Sequence, residues 1–213
     1  ECVVKMAKEI SDFMNITPDK QRMDSLMVAA NIRNLSLLEL FYTCVSNLCK
    51  IMNERGTKIP DEQHHYIEKD DYNKCIYHKR DMDATERTIV VMKDADILIK
   101  ICDSTGDFDD TSEYQLLIRL LKEHTIIDDD GSRRLRQKEE VENPSEVLLN
   151  PSDPEATFRY KAGGKHLGYV GNIVESVGEN GSLIIDYDYQ PNTYADNQFM
   201  KDYLKRKKRF FRW

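Results

Sequence analysis

Asp24 sits in Arg22-Met23-Asp24-Ser25-Leu26-Met27-Val28, one carboxylate among mostly apolar neighbours. An ionised carboxylate within an apolar strand is costly to bury unless it is paired or binds a metal. The residues alone leave two readings open. Asp24 is a metal-ligating acid, or it stands at a strand end, capping backbone or meeting an arginine such as Arg22. The segment itself reads as a strand, with helix as the competing assignment because short apolar runs are ambiguous.

A second set of residues suits polyanion chemistry. Arg159, Lys161, Lys165 and His166 surround Gly163-Gly164. The glycines would let backbone approach a phosphate while the cations neutralise it, and an ordinary loop entering a hairpin explains the pattern equally well. Arg133, Arg134, Arg136 and Lys138 form another cluster, read as a solvated helix face with DNA contact as the alternative. Asp186 and Asp188 alternate with Tyr187 and Tyr189, so the acids share one strand face and the tyrosines the other. They read as a solvated strand face near a turn. The histidines suggest no metal site: His64 and His65 are adjacent, and His78 and His124 stand alone. No phosphate-loop, nucleophile-elbow or zinc-protease string occurs.

The elements that must position these residues follow from periodicity and capping. Residues 3–14 have helical spacing, and Thr17-Pro18-Asp19 breaks them. Ser36 with Glu39 makes a capping box. Leu37, Leu40, Phe41, Cys44, Val45, Leu48 and Met52 then form one stripe, with Gly56 past the last turn. Asp83 with Glu86 opens a helix to about Cys102, and Asp110 with Glu113 one to about His124. Residues 57–80 have no clear pattern, and 126–156 read as a polar connection. A hairpin follows: His166–Val177, a turn at Gly178-Glu179-Asn180-Gly181, and Ser182–Tyr189. A helix over about 195–205 closes the pattern, with Asp196 at its start.

Composition bounds the function class. The 213 residues are 40% hydrophobic and 32% charged, as in globular proteins, and lack a run of apolar residues long enough for a membrane span. Five scattered cysteines point to free thiols in a reducing cytosol rather than a disulfide scaffold or zinc ribbon. The chain begins at Glu1 with no signal-peptide pattern, so it reads as clipped or as starting inside a longer frame. A net charge of −7 and a pI near 5.3 exclude a simple DNA-coating protein. Residues 159–213 nevertheless hold ten Lys/Arg against six Asp/Glu, which confines any polyanion contact to that part and to the cluster at 133–138.

Three blocks carry a family resemblance. Gln21–Ile32 resembles the first-aspartate motif of bacterial insertion-sequence transposases with a DDE domain. Asp153–Tyr169, containing Phe158-Arg159-Tyr160-Lys161, resembles those proteins again, and Asp186–Asp196 completes the series in the family's order. The resemblance implies an RNase H-like core in which three carboxylates hold two Mg²⁺ ions for DNA cleavage and transfer at transposon ends. Asp24 matches the first carboxylate. The second aspartate and the glutamate lie further along in that family than Trp213, so the resemblance implies a catalytically incomplete chain. Its basic end, Lys205–Trp213, does not resemble the family and reads as a shifted or truncated frame, or as a phosphate-binding arm.

The fold expected is α+β: a partial RNase H-like sheet, a strand followed by an antiparallel hairpin, with a large all-helical insertion between the first and second strands. The divisions are 1–34 for the N-terminal helix and first strand, 35–150 for the helical insertion and linker, and 151–213 for the hairpin and closing helix. Asp24 is the expected catalytic and metal-ligating residue, and Arg159, Lys161, Lys165 and His166 the expected DNA contacts. The partner is DNA at transposon ends, a homodimer is compatible with the pattern, and the location is the bacterial cytoplasm at the nucleoid. The rival expectation is a non-enzymatic remnant or regulator that binds DNA or an intact transposase.

Overall fold

The computed structural model describes residues 2–16, 20–78, 82–161 and 163–210. It begins with α1 (Cys2–Phe13), β1 (Gln21–Ala29) and α2 (Leu37–Glu54). A 3-10 turn (Asp61–Ile67) and a one-turn α3 (Asp71–Asn73) follow, the latter running into a π turn (Lys74–His78). Next come α4 (Ala84–Thr105), α5 (Ser112–His124), β2 (Thr125–Ile127) and β3 (Arg133–Leu135). The chain ends with β4 (Thr157–Lys161), β5 (Gly164–Gly178), β6 (Gly181–Pro191) and α6 (Asp196–Phe210). The class is α+β, with antiparallel pairing in both sheets. The expected break at Thr17-Pro18-Asp19, Ala162 of the second motif block and the last three residues of the basic end lie outside the described residues. Among the described residues no helix is long and apolar enough to cross a membrane.

The chain forms two compact units, Glu1–Asn31 with Ala156–Trp213, and Ile32–Glu155. The second is built on α2, α4 and α5. Ser36 closes a capping box with Glu39, and Asp83 closes another with Glu86, so both helices start where their first N–H donors find acceptors. The α2 stripe Leu40, Phe41, Cys44, Val45, Leu48 and Met52 is buried against Met92, Leu98, Leu117 and Leu121. Gly106 ends α4 in the left-handed region, at φ 70°.

Three local expectations need correction. Thr111, not Asp110, caps α5, accepting from the Tyr114 N–H at 3.4 Å, because Asp110 is turned toward Arg55. The stretch 126–156 is not a bare connection, since β2 and β3 pair as a short ribbon with Ile126 opposite Arg134. The basic cluster lies on and after that ribbon rather than on a helix face. Arg133 Nε meets Asp96 at 2.8 Å, Arg134 meets Asp128 and Glu140 at 3.0 and 2.7 Å, and Arg136 donates to the Glu140 carbonyl at 3.2 Å.

In the first unit β5 is the centre of a four-stranded sheet. β1 runs along one edge, with Asp24 opposite Ile173. The other edge takes β4 near its start, with Arg159 opposite His166, and then β6, with Asp188 opposite Asn172. Gly168, at φ +137°, lies where β1 and β4 flank β5 together, and a Cβ there would stand 2.3 Å from the Val28 carbonyl oxygen. Only glycine fits that crossing. A register shift between Val174 and Glu175 adds one residue to β6, a β-bulge.

Candidate functional site

Strand alternation sorts the first unit's side chains onto two faces. One carries Val170, Asn172, Val174 and Ser176 of β5, all buried. Their partners are Met27, Ser25, Met23 and Gln21 of β1, with Asp186 and Asp188 opposite Val174 and Asn172 on β6. α6 packs on this face: Phe199 is buried, Tyr203 donates to Gln21 Oε1 at 3.0 Å, and Arg206 reaches both aspartates. The opposite face carries Arg22, Asp24, Leu26, Ile173, Glu175, Ile184, Tyr187 and Tyr189, and much of it is open.

Asp24 therefore sits mid-strand on the open face and is exposed. The burial cost that made it conspicuous in the sequence does not arise, because its apolar neighbours Met23 and Met27 point the other way. Its Oδ1 accepts from the Ser25 N–H at 2.9 Å. Arg22 does not meet it; Arg22 Nε pairs with Glu175 Oε2 at 2.6 Å. Hydrogen bonds from Ser182 and Arg22 hold Glu175 below its ordinary value. Beneath the strand, buried Asn172 donates to the Asp24 carbonyl at 3.3 Å and to Ser25 Oγ at 3.0 Å, fixing the backbone at that point. Arg22, Asp24, Leu26, Ile173, Glu175 and Ile184 line a shallow depression.

Asp186 and Asp188 do not form the solvated face expected of them. Arg206 Nη2 donates to Asp186 Oδ2 at 2.9 Å and Nη1 to Asp188 Oδ2 at 2.7 Å. Burial opposes the Arg206 charge, and the two carboxylates outweigh it, so its pKa is raised. The tyrosines take the exposed side, with Tyr187 60% accessible. Since Asp24 lies on the other face of the sheet, these acids cannot share an ion with it. Among the described residues the open face offers Asp24 and an already paired Glu175, and this set does not fit a two-ion Mg²⁺ centre, which needs several free hard-oxygen ligands.

The four expected DNA contacts lie together on the β4–β5 hairpin in different states. Arg159 faces α6, its Nη2 donating to the Tyr194 carbonyl at 3.4 Å and Nη1 standing 3.9 Å from Asp196. His166 Nε2 lies 3.2 Å from the Lys161 carbonyl oxygen. Lys165 Nζ stands 4.1 Å from the centroid of the Phe158 ring, a cation–π contact on the opposite side of the hairpin. Lys161, Lys165 and His166 are exposed. The basic end is not a free arm over its first turn: besides Arg206, Lys205 meets Asp202 at 3.4 Å and Lys207 meets Gln21 Oε1 at 3.3 Å.

One polar cluster escaped sequence reasoning. In the second unit Asp71 Oδ2 accepts from the Tyr42 hydroxyl at 2.6 Å and lies 2.7 Å from His65 Nδ1 and 3.4 Å from Cys75 Sγ. Burial would raise the Asp71 carboxyl, but hydrogen bonds from Tyr42 and His65 outweigh it and hold it below its ordinary value. Only the i, i+4 spacing of Asp71 and Cys75 hints at this in the sequence. The three buried cysteines behave differently: burial pushes the thiols of Cys44 and Cys49 up to about 12 and Cys102 to about 11, as inert core groups.

Comparison with protein-family models, with characterised proteins and with solved structures finds no match to this chain.

Proposed function

We propose that this chain is part of a bacterial DDE transposase, with Asp24 as the first acid of an RNase H-like core whose intact form cuts and joins DNA at transposon ends with Mg²⁺. One observation carries the reading. β1, the strand bearing the first motif block, pairs antiparallel with the hairpin strand bearing the second, and Asp24 projects mid-strand onto the open face. The three motif blocks thus meet in one sheet and the helix after it, as the resemblance implies for such a core. The setting of such an activity is the bacterial cytoplasm at the nucleoid.

A specific observation favours a narrower role for the residues present. Asp24 has no second free carboxylate beside it among the described residues, so the chain alone binds DNA or an intact transposase without cutting. Lys161 and Lys165 supply the local positive surface that binding requires in a chain of net charge −7, with the exposed His166 ring beside them as a further polar contact.

The test is fluorescence anisotropy with labelled duplex DNA over a range of salt, together with a cleavage assay in Mg²⁺. The expected result is binding that weakens steeply with salt, since phosphate contacts release counterions, and no cleavage. Absence of binding, or binding indifferent to salt, would remove DNA as the partner and favour an acidic binding module of another kind. Mg²⁺-dependent cleavage lost in Asp24→Ala would show a complete catalytic site.

A further inference from the structure

We infer that His65, Asp71 and Cys75 form a site for one zinc-class divalent cation, separate from the Asp24 face and independent of the transposase reading. The three side chains come from a short irregular stretch: the 3-10 turn ending at Ile67, α3, and the π turn after it. One donor atom from each lies within 4.8 Å of the others. Zinc–ligand bonds of about 2.0–2.3 Å place tetrahedral ligand atoms about 3.3–3.8 Å apart. The Cys75–Asp71 separation of 3.4 Å already matches, and the 2.7 Å His65–Asp71 contact needs to open by only about half an ångström.

The chemistry of the donors selects the metal. A thiolate, an imidazole and one carboxylate suit Zn²⁺ or Co²⁺, whereas Mg²⁺ and Ca²⁺ demand oxygen ligands in greater number. Neighbours hold each ligand in place. Tyr42, from α2, donates to Asp71 and fixes its carboxylate, the outer partner that metal-ligating acids commonly have. The Tyr66 ring lies against His65, centroids 4.1 Å apart, and restrains the imidazole. Asp71 is buried while the His65 side chain is 36% accessible, so the site opens on one side for entry and for water as a fourth ligand. Binding replaces the Cys75 thiol proton and the proton that His65 Nδ1 shares with Asp71 by the cation; for a neutral imidazole the Nδ1 proton is taken up by solvent while Nε2 gains one, so the net release is the single thiol proton per ion. The cation then ties the irregular stretch to α2 through Tyr42.

The full 213-residue chain, freed of metal, is titrated with Co²⁺ and read by absorption. One equivalent is expected to produce tetrahedral visible bands and a thiolate-to-cobalt band in the near ultraviolet, both removed by Zn²⁺ and unaffected by excess Mg²⁺. Cys75→Ser should abolish the thiolate band. His65→Gln, at a half-exposed position whose change opens no core cavity, should weaken Co²⁺ at least about tenfold. A wild-type chain without the thiolate band overturns the proposal. So does a band that survives Cys75→Ser, or one whose affinity is unchanged in His65→Gln.

Discussion

Arg206 of α6 donates to Asp188 of β6 across 2.7 Å, and its second nitrogen holds Asp186 at 2.9 Å. One guanidinium thus bridges the two acids that alternate with tyrosine, offsetting one of their two charges, and fastens the closing helix to the sheet. The fork geometry matters, because a lysine would offer a point charge to only one partner at a time. With Arg206 side chain 41% accessible, solvent screening limits the gain, while the acids at 19% and 20% lose much of their hydration. Arg206→Met is expected to cost about 1–2 kcal/mol, because it leaves two half-buried carboxylates unpaired. Urea unfolding read by circular dichroism checks this, and a midpoint equal to wild type would show that the bridge is not made in solution.

Removing cations should separate the two basic regions. Lys161→Ala and Lys165→Ala are each expected to weaken DNA binding across all sequences and lower the salt slope by about one. Arg133→Ala and Arg134→Ala should leave affinity unchanged, since their guanidiniums are committed to Asp96, Asp128 and Glu140. They should lower the melting temperature instead. The reverse pattern in anisotropy and thermal unfolding would move the DNA surface to the β2–β3 ribbon.

Gly168 joins the sheet's two edges, and its neighbours leave no room for a side chain. A Cβ would lie 2.3 Å from the Val28 oxygen and 2.5 Å from the Ala30 nitrogen, both backbone atoms, at a φ of +137°. Gly168→Ala is therefore expected to cost about 2–4 kcal/mol by prising β1 from β5. Gly131→Ala is the comparison: its φ is +82°, but the added Cβ meets nothing within 4 Å. It should cost only about 1 kcal/mol from backbone strain. Equal midpoints for the two variants would refute the close approach.

Local signals explain which of these features could be read beforehand. The Ser36–Glu39 and Asp83–Glu86 boxes are chemistry within four residues, so α2 and α4 start where the sequence says. The alternation in 166–189 likewise places the acids and tyrosines of β6 on opposite faces. What alternation cannot tell is which face meets a helix. Arg206 is eighteen residues past Asp188, and that pairing exists only once α6 lies on the sheet. The same holds for Asp24, whose exposure depends on the direction Met23 and Met27 take, and for Arg133, whose partner Asp96 is 37 residues away. His65, Asp71 and Cys75 are near in sequence, but irregular turns bring them together, and such turns leave no period to read.

His124, at the end of α5, gives the chain a pH response near neutrality. Burial, the largest influence, lowers its pKa from the ordinary value of 6.5 and outweighs the Glu123 carboxylate and the Leu148 backbone, which favour the charged ring, while Arg136 adds to the lowering. As pH falls through 6.5 the unfolded chain takes up a proton that folded His124 resists, so the unfolded state binds more protons and stability drops with pH. The slope from this group is at most about 1.4 kcal/mol per pH unit. Glu39 and Asp71, both lowered, contribute stability that is present above their ordinary values of 4.5 and 3.8 and lost as pH falls further, so their effect lies in a more acid window. Urea midpoints at pH 8, 6.5 and 5.5 should decline in the wild type and flatten in His124→Gln. A variant whose midpoints fall in parallel with the wild type would place the responsible group elsewhere.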